Sequence, residues 1–416
     1  MNMGWREQRF VDRFNSQLAN VFASGGQLEN TWAYLCPQGE ISHFVISGGV
    51  CPEDRYGPLY PALEYLMGRV PLVILHGENT PIEDLAAQAW QRRREEPLPS
   101  APLWVCGPAS PLFEPFYAMS DMQVITTCRR LAAKLGYTIT PRFERVVRVH
   151  LSILHELDVP CSLSGLYYLC QFRDMGEFHE NVIELPCGQE RAMRIWADLG
   201  ADDESGNSQF DLFRAVINHL AQEAEMCGWN ANDTICQCNC ITAVCNGAVF
   251  LLQVDEANSE LVLAYLAEEL KMVGGQPFFL LLDDVRAQES GLLDSARAGS
   301  GHVGLVSENV VDQIGWEERE FLRFAENVDC FILLKHNTGK TAEILSEVLG
   351  RYDHAKVESS SGVTRGFFQL LPQNRHEDVR YSVENRYRVM PEELTRLGPG
   401  QAIIFLSATD QIIYYN

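Results

Sequence analysis

The chain has 416 residues, of which 46% are hydrophobic and 21% charged, and its formal net charge is −23 at pH 7. This length can bury one large core or two to three smaller ones. The strong negative charge disfavours non-specific binding to DNA, RNA or anionic lipid. No run of about 18 apolar residues predicts a transmembrane helix, and the polar N-terminus lacks the apolar core of a signal peptide. We therefore expect a soluble protein of the cytoplasm without membrane contact.

The first 118 residues alternate between helical and strand-like patterns. Helical spacing over residues 6–23 predicts an entry helix. Short apolar runs predict buried strands at 42–48, 71–77 and 101–107. Helical spacing between these strands predicts helices at 58–68 and 81–94. Strands that alternate with helices are typical of a parallel sheet with helices on its faces.

One segment of this half has the shape of a nucleotide site. The stretch from His43 to Met67, HFVISGGVCPEDRYGPLYPALEYLM, joins an apolar strand to a helix through Gly48 and Gly49. A strand, a glycine turn and a helix in this order are typical of a phosphate-binding loop. The usual Gly-Lys-Ser/Thr ending is missing from the stretch. It is either a nucleotide site of unfamiliar type or the remnant of one.

From residue 119 to about 235 only helical spacing occurs. Strand patterns return from about residue 246 and include the run FFLLLDD, which ends in Asp283 and Asp284. We therefore predict an α/β core split by an all-α insert. The predicted divisions are an N-terminal half with the entry helix, an insert and a C-terminal half, at 1–118, 119–240 and 241–416.

Two basic stretches, 92–94 and 142–150, stand out against the acidic background. A local basic groove could bind DNA, although a solvated helix face is the commoner meaning of such a pattern. Because the negative net charge disfavours binding to nucleic acid, we expect protein partners rather than DNA. The sequence is also compatible with an oligomer.

The cysteines form a second candidate site. Thirteen cysteines without a secretory signal predict reduced thiols. Cys236, Cys238 and Cys240 alternate as C-x-C-x-C, so that along a strand they would share one face. Several thiolates together can hold a soft metal ion. Zinc sites normally use C-x2-C, so a cluster of inert thiols is the alternative.

Four segments of the C-terminal half follow one another in a characteristic order: FFLLLDD, SARAGSGHVGLVSENVVDQIG, NVDCFILLKHNTGKTAEILSEVLG and RYRVMPEELTRLGPGQAIIF. In that order they resemble the Walker B strand and the three elements after it in TraG/TraD-type coupling proteins of conjugation and type IV secretion. These proteins belong to the HerA/FtsK group of hexameric motor ATPases. The resemblance extends over residues 40–416. It implies a RecA-like P-loop NTPase fold, in which a mostly parallel sheet flanked by helices is interrupted by an all-α domain.

The resemblance also implies where a nucleotide would bind. It places the Walker A loop at GVCPEDRY, residues 49–56. Asp54 then replaces the second loop glycine, Arg55 the lysine and Tyr56 the Ser/Thr. A carboxylate repels the β-phosphate, and Tyr56 is too long to place a hydroxyl on Mg²⁺ as Ser or Thr does. We therefore expect a degenerate loop.

The same resemblance assigns three catalytic positions. Asp283 and Asp284 take the places of an Asp–Glu pair, of which the Asp holds Mg²⁺ and the Glu activates the attacking water. Glu308 takes the place of a sensor Gln and adds negative charge near the γ-phosphate. Since the base is one methylene short and the loop is degenerate, we expect these positions to be inactive.

Three functions remain open on the sequence. The first is a pseudo-ATPase that acts as an interaction or assembly subunit of a conjugation or secretion apparatus, with no cofactor expected. The second is a divergent hexameric ATPase that moves DNA or protein, in which ATP and Mg²⁺ bind through Arg55 and Asp283. The third is a thiol or metal-binding function at Cys236, Cys238 and Cys240.

Overall fold

A large β-sheet forms the centre of the computed structural model, which describes residues 21–24, 35, 41–78, 80–94, 101–172, 175–198, 204–231, 237–255, 259–287, 291–298, 300–314, 318–363 and 375–415. The strands within these ranges are β1 (Val21–Ser24), β2 (Phe44–Ser47), β3 (Leu72–His76), β4 (Leu103–Cys106), β5 (Val249–Gln253), β6 (Phe278–Asp283), β7 (Gly301–Ser307), β8 (Cys330–Leu333), β9 (Arg351–Val363), β10 (Arg375–Tyr387), β11 (Ala402–Leu406) and β12 (Gln411–Tyr415). β9 and β10 form a separate antiparallel ribbon. The other strands lie side by side in the order β1-β12-β11-β8-β2-β7-β6-β3-β5-β4.

Most of this sheet is parallel. The seven strands from β8 to β4 in the spatial order run in one direction. β11 is antiparallel to both β8 and β12, and β1 is parallel to β12. β7 lies between β2, which precedes the two glycines, and β6, which ends in Asp283. The predicted α/β class, with a mostly parallel sheet flanked by helices, is confirmed.

The helices of the described residues are α1 (Pro52–Leu66), α2 (Ile82–Arg94), α3 (Asp121–Lys134), α4 (Pro141–Glu156), α5 (Leu163–Leu169), α6 (Met175–Ile183), α7 (Gln189–Asp198), α8 (Glu204–Met226), α9 (Cys240–Cys245), α10 (Glu260–Met272), α11 (Leu292–Ala298), α12 (Val310–Ile314), α13 (Glu318–Ala325), α14 (Gly339–Val348) and α15 (Pro391–Arg396). α3 to α9 follow one another between β4 and β5, and no strand interrupts them within the described ranges.

Successive side chains of each parallel strand enter two different cores, because side chains alternate across a strand. Phe44 and Ile46 of β2 pack with residues of α1 and α2 on one face of the sheet. Val45 belongs to the core of the other face, which continues into the helices between β4 and β5. Strands buried on both faces read as continuous apolar runs, which explains why they were predictable.

The aromatic ring of Tyr265 in α10 joins these helices to the sheet. Its centroid lies 6.4 Å from that of Phe113 and 5.1 Å from that of Phe116, in edge-to-face arrangements. The hydroxyl of Tyr265 accepts the amide hydrogen of Phe116 at 2.6 Å and donates to the buried carboxyl group of Glu269. The helical segment and the sheet therefore share one continuous core.

The predicted entry helix over 6–23 is wrong at its end. Residues 21–24 form β1, a strand that pairs with β12 in parallel register. Pairing with a distant strand overrides local helical spacing at this point. The remainder of the predicted helix, 6–20, lies outside the described residues. Among the residues that the structure describes, we find no helix with the length and apolar character that spanning a membrane requires.

Candidate functional site

The candidate site lies at the carboxyl ends of β2, β3 and β6. Open parallel sheets bind ligands in the crevice beyond the carboxyl ends of their strands. The loop of residues 48–51 leaves β2 there and enters α1, while Asp283 and Asp284 stand at the end of β6. The structure thus brings together the two halves of the site that the sequence predicted separately.

The glycine pair is held tightly by the ends of neighbouring strands. Gly48 and Gly49 have φ angles of +97° and +114°, a conformation that favours glycine. Their amides donate to the carbonyls of Ser307 at 3.0 Å and Lys335 at 2.9 Å. A Cβ atom on Gly48 would stand 2.7 Å from the Lys335 carbonyl oxygen. Both amides are therefore committed to the protein's own backbone.

The next two amides of the loop are capped by Asp54. Its carboxylate accepts hydrogen bonds from the backbone nitrogens of Val50 at 2.9 Å and Cys51 at 3.3 Å. Pro52 follows and has no amide hydrogen to offer. A helix N-terminus normally attracts an anion through such free amides. Here a carboxylate from the first turn of α1 takes that role itself.

Arg55 closes the site from the other side. Its Nη2 lies 3.1 Å from Oδ2 of Asp284, and its Nη1 lies 3.5 Å from the Gly48 carbonyl oxygen. The Arg55 side chain is only 7% exposed and that of Asp284 26%. Asp284 adopts the left-handed conformation, with φ of +52°, which turns its side chain at the end of β6. The guanidinium is thus engaged with protein oxygens on two sides.

Tyr56 is bonded to the other aspartate. Its hydroxyl lies 2.9 Å and 3.1 Å from the two carboxylate oxygens of Asp283, which is fully buried. Burial and the neighbouring Asp284 raise the pKa of Asp283 to about 7, although Tyr56 and Arg55 act in the opposite direction. Burial and Asp283 also raise the pKa of Tyr56, so the phenol stays protonated and donates.

Three polar residues near Tyr56 and Asp283 were not predicted from the sequence: His76, Thr80 and Glu83. His76 ends β3 and stands opposite Asp283 in the sheet register. Its Nε2 lies 3.2 Å from Oε1 of Glu83, and its Nδ1 lies 3.4 Å from the hydroxyl of Thr80, a group that also acts to lower the pKa of Asp283. Burial lowers the pKa of His76. A polar residue that ends a buried apolar strand was the signal that could have found it.

Glu308 lies apart from this network. It follows β7 directly, is exposed, and accepts a hydrogen bond from the side-chain amide of Asn337 at 3.3 Å. The structure therefore brings together Asp54, Arg55, Tyr56, Asp283 and Asp284, and places Glu308 against a different neighbour.

The described cysteines of the C-x-C-x-C stretch have separate environments. Sγ of Cys238 lies 3.8 Å from Sγ of Cys106, whereas the backbone nitrogen of Cys240 donates to Glu269 at 3.1 Å. Cys236 lies outside the described residues. Within the described ranges, no group of three or more His, Cys, Asp or Glu side chains is arranged to hold a metal ion.

The site as arranged does not fit ATP and Mg²⁺. The amides of Gly48 and Gly49 are bonded to carbonyls, and those of Val50 and Cys51 to Asp54. The acidic pair that would face a metal ion is bonded to Arg55 and Tyr56. To bind, a polyphosphate would have to displace Asp54 from the loop amides, and Mg²⁺ would have to displace Arg55 and Tyr56 from the acidic pair.

Comparisons with known proteins give similarity of fold at low sequence identity. The chain matches no protein-family model, and it matches no curated protein. The bacterial conjugative coupling protein TrwBdeltaN70 in its trigonal form with sulphate is 12% identical, with 90% of this chain and 84% of that chain covered and a TM-score of 0.49. VirB4 of Thermoanaerobacter pseudethanolicus is 12% identical, with 90% and 88% covered and a TM-score of 0.48.

Proposed function

We propose that this chain is a pseudo-ATPase related to the coupling proteins of conjugation and type IV secretion. It keeps the RecA-like fold, does not hydrolyse ATP, and serves as an interaction or assembly subunit beside protein partners in the cytoplasm. The relationship rests on the ordered sequence segments described above. The loss of catalysis is supported by one observation: Asp54 bonds to the loop amides, Arg55 to Asp284 and Tyr56 to Asp283, so that the protein's own side chains take the positions of phosphate and Mg²⁺.

The amide bonds of the loop support the first step of this proposal. A phosphate cradle needs backbone N–H groups that point at the ligand and have no better acceptor. Asp54 already supplies a charged acceptor to Val50 and Cys51, at 2.9 Å and 3.3 Å. Charge-assisted bonds of this kind are about twice as strong as neutral ones. A phosphate gains little by replacing one anion with another.

The basic and acidic side chains support the second step. The loop lysine of an active P-loop reaches the β- and γ-phosphates, and an aspartate holds Mg²⁺. Arg55 is instead paired with Asp284 at 3.1 Å, and Asp283 is held by Tyr56 at 2.9 Å. Binding of ATP with Mg²⁺ would separate Arg55 from Asp284 and Tyr56 from Asp283. Breaking the pair of Arg55 and Asp284, in which Asp284 keeps some solvent, opposes ATP binding by about 1–2 kcal/mol.

Calorimetric titration of the purified protein with ATP and Mg²⁺, together with a thermal-shift measurement, tests the proposal. We expect no heat of binding and no shift in the unfolding midpoint. A ligand at a hundredfold excess over its dissociation constant stabilises a protein by about 2.7 kcal/mol, so real binding would be visible. Mg²⁺-dependent hydrolysis that Asp283→Asn abolishes would overturn the proposal in favour of an active motor.

A genetic experiment tests the assembly role separately. Deletion of the gene in its own cell is expected to reduce transfer or secretion by the apparatus. Restoration by the Asp283→Asn variant as fully as by the wild type would support a role without hydrolysis. If only the wild type restores transfer, although both proteins accumulate equally, the site has a catalytic role. If deletion changes neither process, the assignment to such an apparatus is wrong.

A further inference from the structure

Two cysteines from distant parts of the chain meet where the helical segment joins the sheet. Sγ of Cys106 lies 3.8 Å from Sγ of Cys238. Cys106 is the last residue of β4, and Cys238 stands two residues before the start of α9. The sequence pattern grouped Cys238 with Cys240, but the fold gives it a partner 132 residues away.

The backbone holds both cysteines in place. Cys106 stands opposite Leu252 in the parallel register of β4 and β5. The carbonyl of Cys238 accepts the amide hydrogen of Glu114 at 2.9 Å, and Cys238 forms a β-bridge with Phe113. Cys106 and Cys238 both belong to the core beneath the helices. The proximity of the two sulfur atoms is thus a product of fixed main-chain positions.

From this geometry we propose that Cys106 and Cys238 are a redox-modification site, at which a reversible disulfide forms between them. A disulfide bond is about 2.05 Å long. The two sulfur atoms, 3.8 Å apart, need to approach by roughly 2 Å to form it. The bond ties the point where the chain leaves the sheet for the helices to the point where it returns.

The chemistry balances with a peroxide as oxidant. Cys238 is 7% exposed and Cys106 is fully buried, so Cys238 is the thiol that meets hydrogen peroxide first. Its thiolate attacks one peroxide oxygen, which gives a sulfenic acid and, after proton uptake, one water. The Cys106 thiol then attacks the sulfenic sulfur, forms the S–S bond and releases a second water. A dithiol reductant reverses the reaction through a mixed disulfide.

Other described thiols of the helical segment lie in buried surroundings of their own. Burial raises the pKa of the thiols of Cys128, Cys161, Cys170 and Cys227, which makes them poor nucleophiles. Cys240 is fully buried, and burial and Glu269 together raise its pKa.

The test is to map disulfides in the full-length protein. Reduced protein is treated with hydrogen peroxide, remaining thiols are alkylated, and the digest is examined by mass spectrometry without reduction. We expect one species in which the peptide that contains Cys106 is joined to the peptide that contains Cys238, with two thiols lost per chain. A dithiol reductant is expected to restore both thiols.

Neighbouring cysteines provide matched controls. Cys238→Ser and Cys106→Ser are each expected to abolish the linked species, whereas Cys240→Ser and Cys128→Ser retain it. In the wild type, oxidation is also expected to raise the thermal unfolding midpoint, since closing a long loop restricts the unfolded chain. The proposal is overturned if Cys106 and Cys238 stay reduced while the exposed Cys51 and Cys245 are oxidised, or if the linkage persists in Cys238→Ser.

Discussion

The phenol of Tyr56 donates a hydrogen bond to Asp283 in the interior of the protein, with oxygen–oxygen distances of 2.9 Å and 3.1 Å. The two residues are 227 positions apart in the sequence. Under the proposed function they take the positions of the magnesium-binding hydroxyl and the Walker B acid of a P-loop ATPase. A contact that a metal ion bridges in such enzymes would then be made here directly, between a phenol and a carboxyl group.

The raised pKa of Asp283 predicts a pH-dependent stability. The pKa is about 7 in the folded protein, against an ordinary value of 3.8, so the folded state keeps a proton that the unfolded chain has lost. Between about pH 4 and 7 the free energy of unfolding consequently falls as pH rises, by at most about 1.4 kcal/mol per pH unit for this group. Asp283→Asn is expected to flatten this slope, as measured by chemical denaturation across the window.

Glu269 supplies the comparison for that experiment. Burial raises its pKa from 4.5 to about 7, so it contributes a slope of the same sign over a similar window. Glu269→Gln is expected to remove its own share and to leave that of Asp283. An unchanged slope in Asp283→Asn, with a reduced one in Glu269→Gln, would show that Asp283 is ionised in the folded protein.

The pair of Arg55 and Asp284 is expected to couple energetically. A double-mutant cycle of Arg55→Met and Asp284→Asn should give an interaction free energy of about 1–2 kcal/mol, because Arg55 is almost fully buried while Asp284 keeps some solvent. The exposed pair Arg194 and Glu190, at 75% and 85% exposure, should couple by about 0.5 kcal/mol or less. Equal coupling energies for the two pairs would contradict the closed site described here.

Reconstruction of the loop is expected to create a nucleotide site. The triple variant Asp54→Gly, Arg55→Lys, Tyr56→Thr frees the amides of Val50 and Cys51 and supplies a compact ammonium and a short hydroxyl. ATP with Mg²⁺ should bind this variant at least about tenfold more tightly than the wild type, as measured by calorimetry. Asp54→Asn alone, which keeps a side-chain acceptor for both amides, should behave as the wild type. No gain in the triple variant would mean that these three residues are not what blocks the site.

The helical segment carries a histidine that should make it acid-sensitive. His150 is fully buried, stacks at 5.0 Å on Phe178 and donates from Nδ1 to the carbonyl of Val146 at 2.7 Å. Burial lowers its pKa from 6.5 to about 4. The unfolded chain therefore binds a proton between about pH 6.5 and 4 that the folded state does not, and stability is lost as pH falls through this window.

His150→Leu is expected to remove the share of that acid-induced loss that His150 contributes, when helix content is followed by circular dichroism during denaturation at several pH values. His219→Leu, which changes an exposed histidine, serves as the control and should keep the loss. If both variants lose stability with acid as the wild type does, a different group is responsible.

The sequence allowed the sheet to be predicted because its strands are short apolar runs separated by amphipathic helices. Gly48 and Gly49, Asp283 and Asp284 were recognisable because glycine turns and strand-end acids occur at fixed places in the family that the sequence resembles. The contacts that close the site were not predictable in this way. Asp54 to Val50 is a local bond, but Tyr56 to Asp283 depends on the order of strands in the sheet.

The remaining errors have the same cause. β1 was predicted as the end of a helix because its partner β12 lies almost a whole chain length away. The ribbon of β9 and β10 was not predicted, because residues 351–363 contain few apolar residues and a run of serines. Pairing between strands determines that both segments are extended, and this pairing cannot be predicted from composition or residue spacing.

The order of strands in the sheet also bears on how this protein is made. β2 finds its neighbours only in β7 and β8, and Phe44 pairs with Gly304, 260 residues further on. At a ribosomal rate of about 5–20 residues per second, β2 therefore waits roughly 10–50 s for its first partner strand. During that interval the apolar residues of β2 have no partner strand, and they can pair with other nascent chains and aggregate. Synthesis of this protein is thus expected to depend on chaperones that bind early segments and release them only when the C-terminal half emerges.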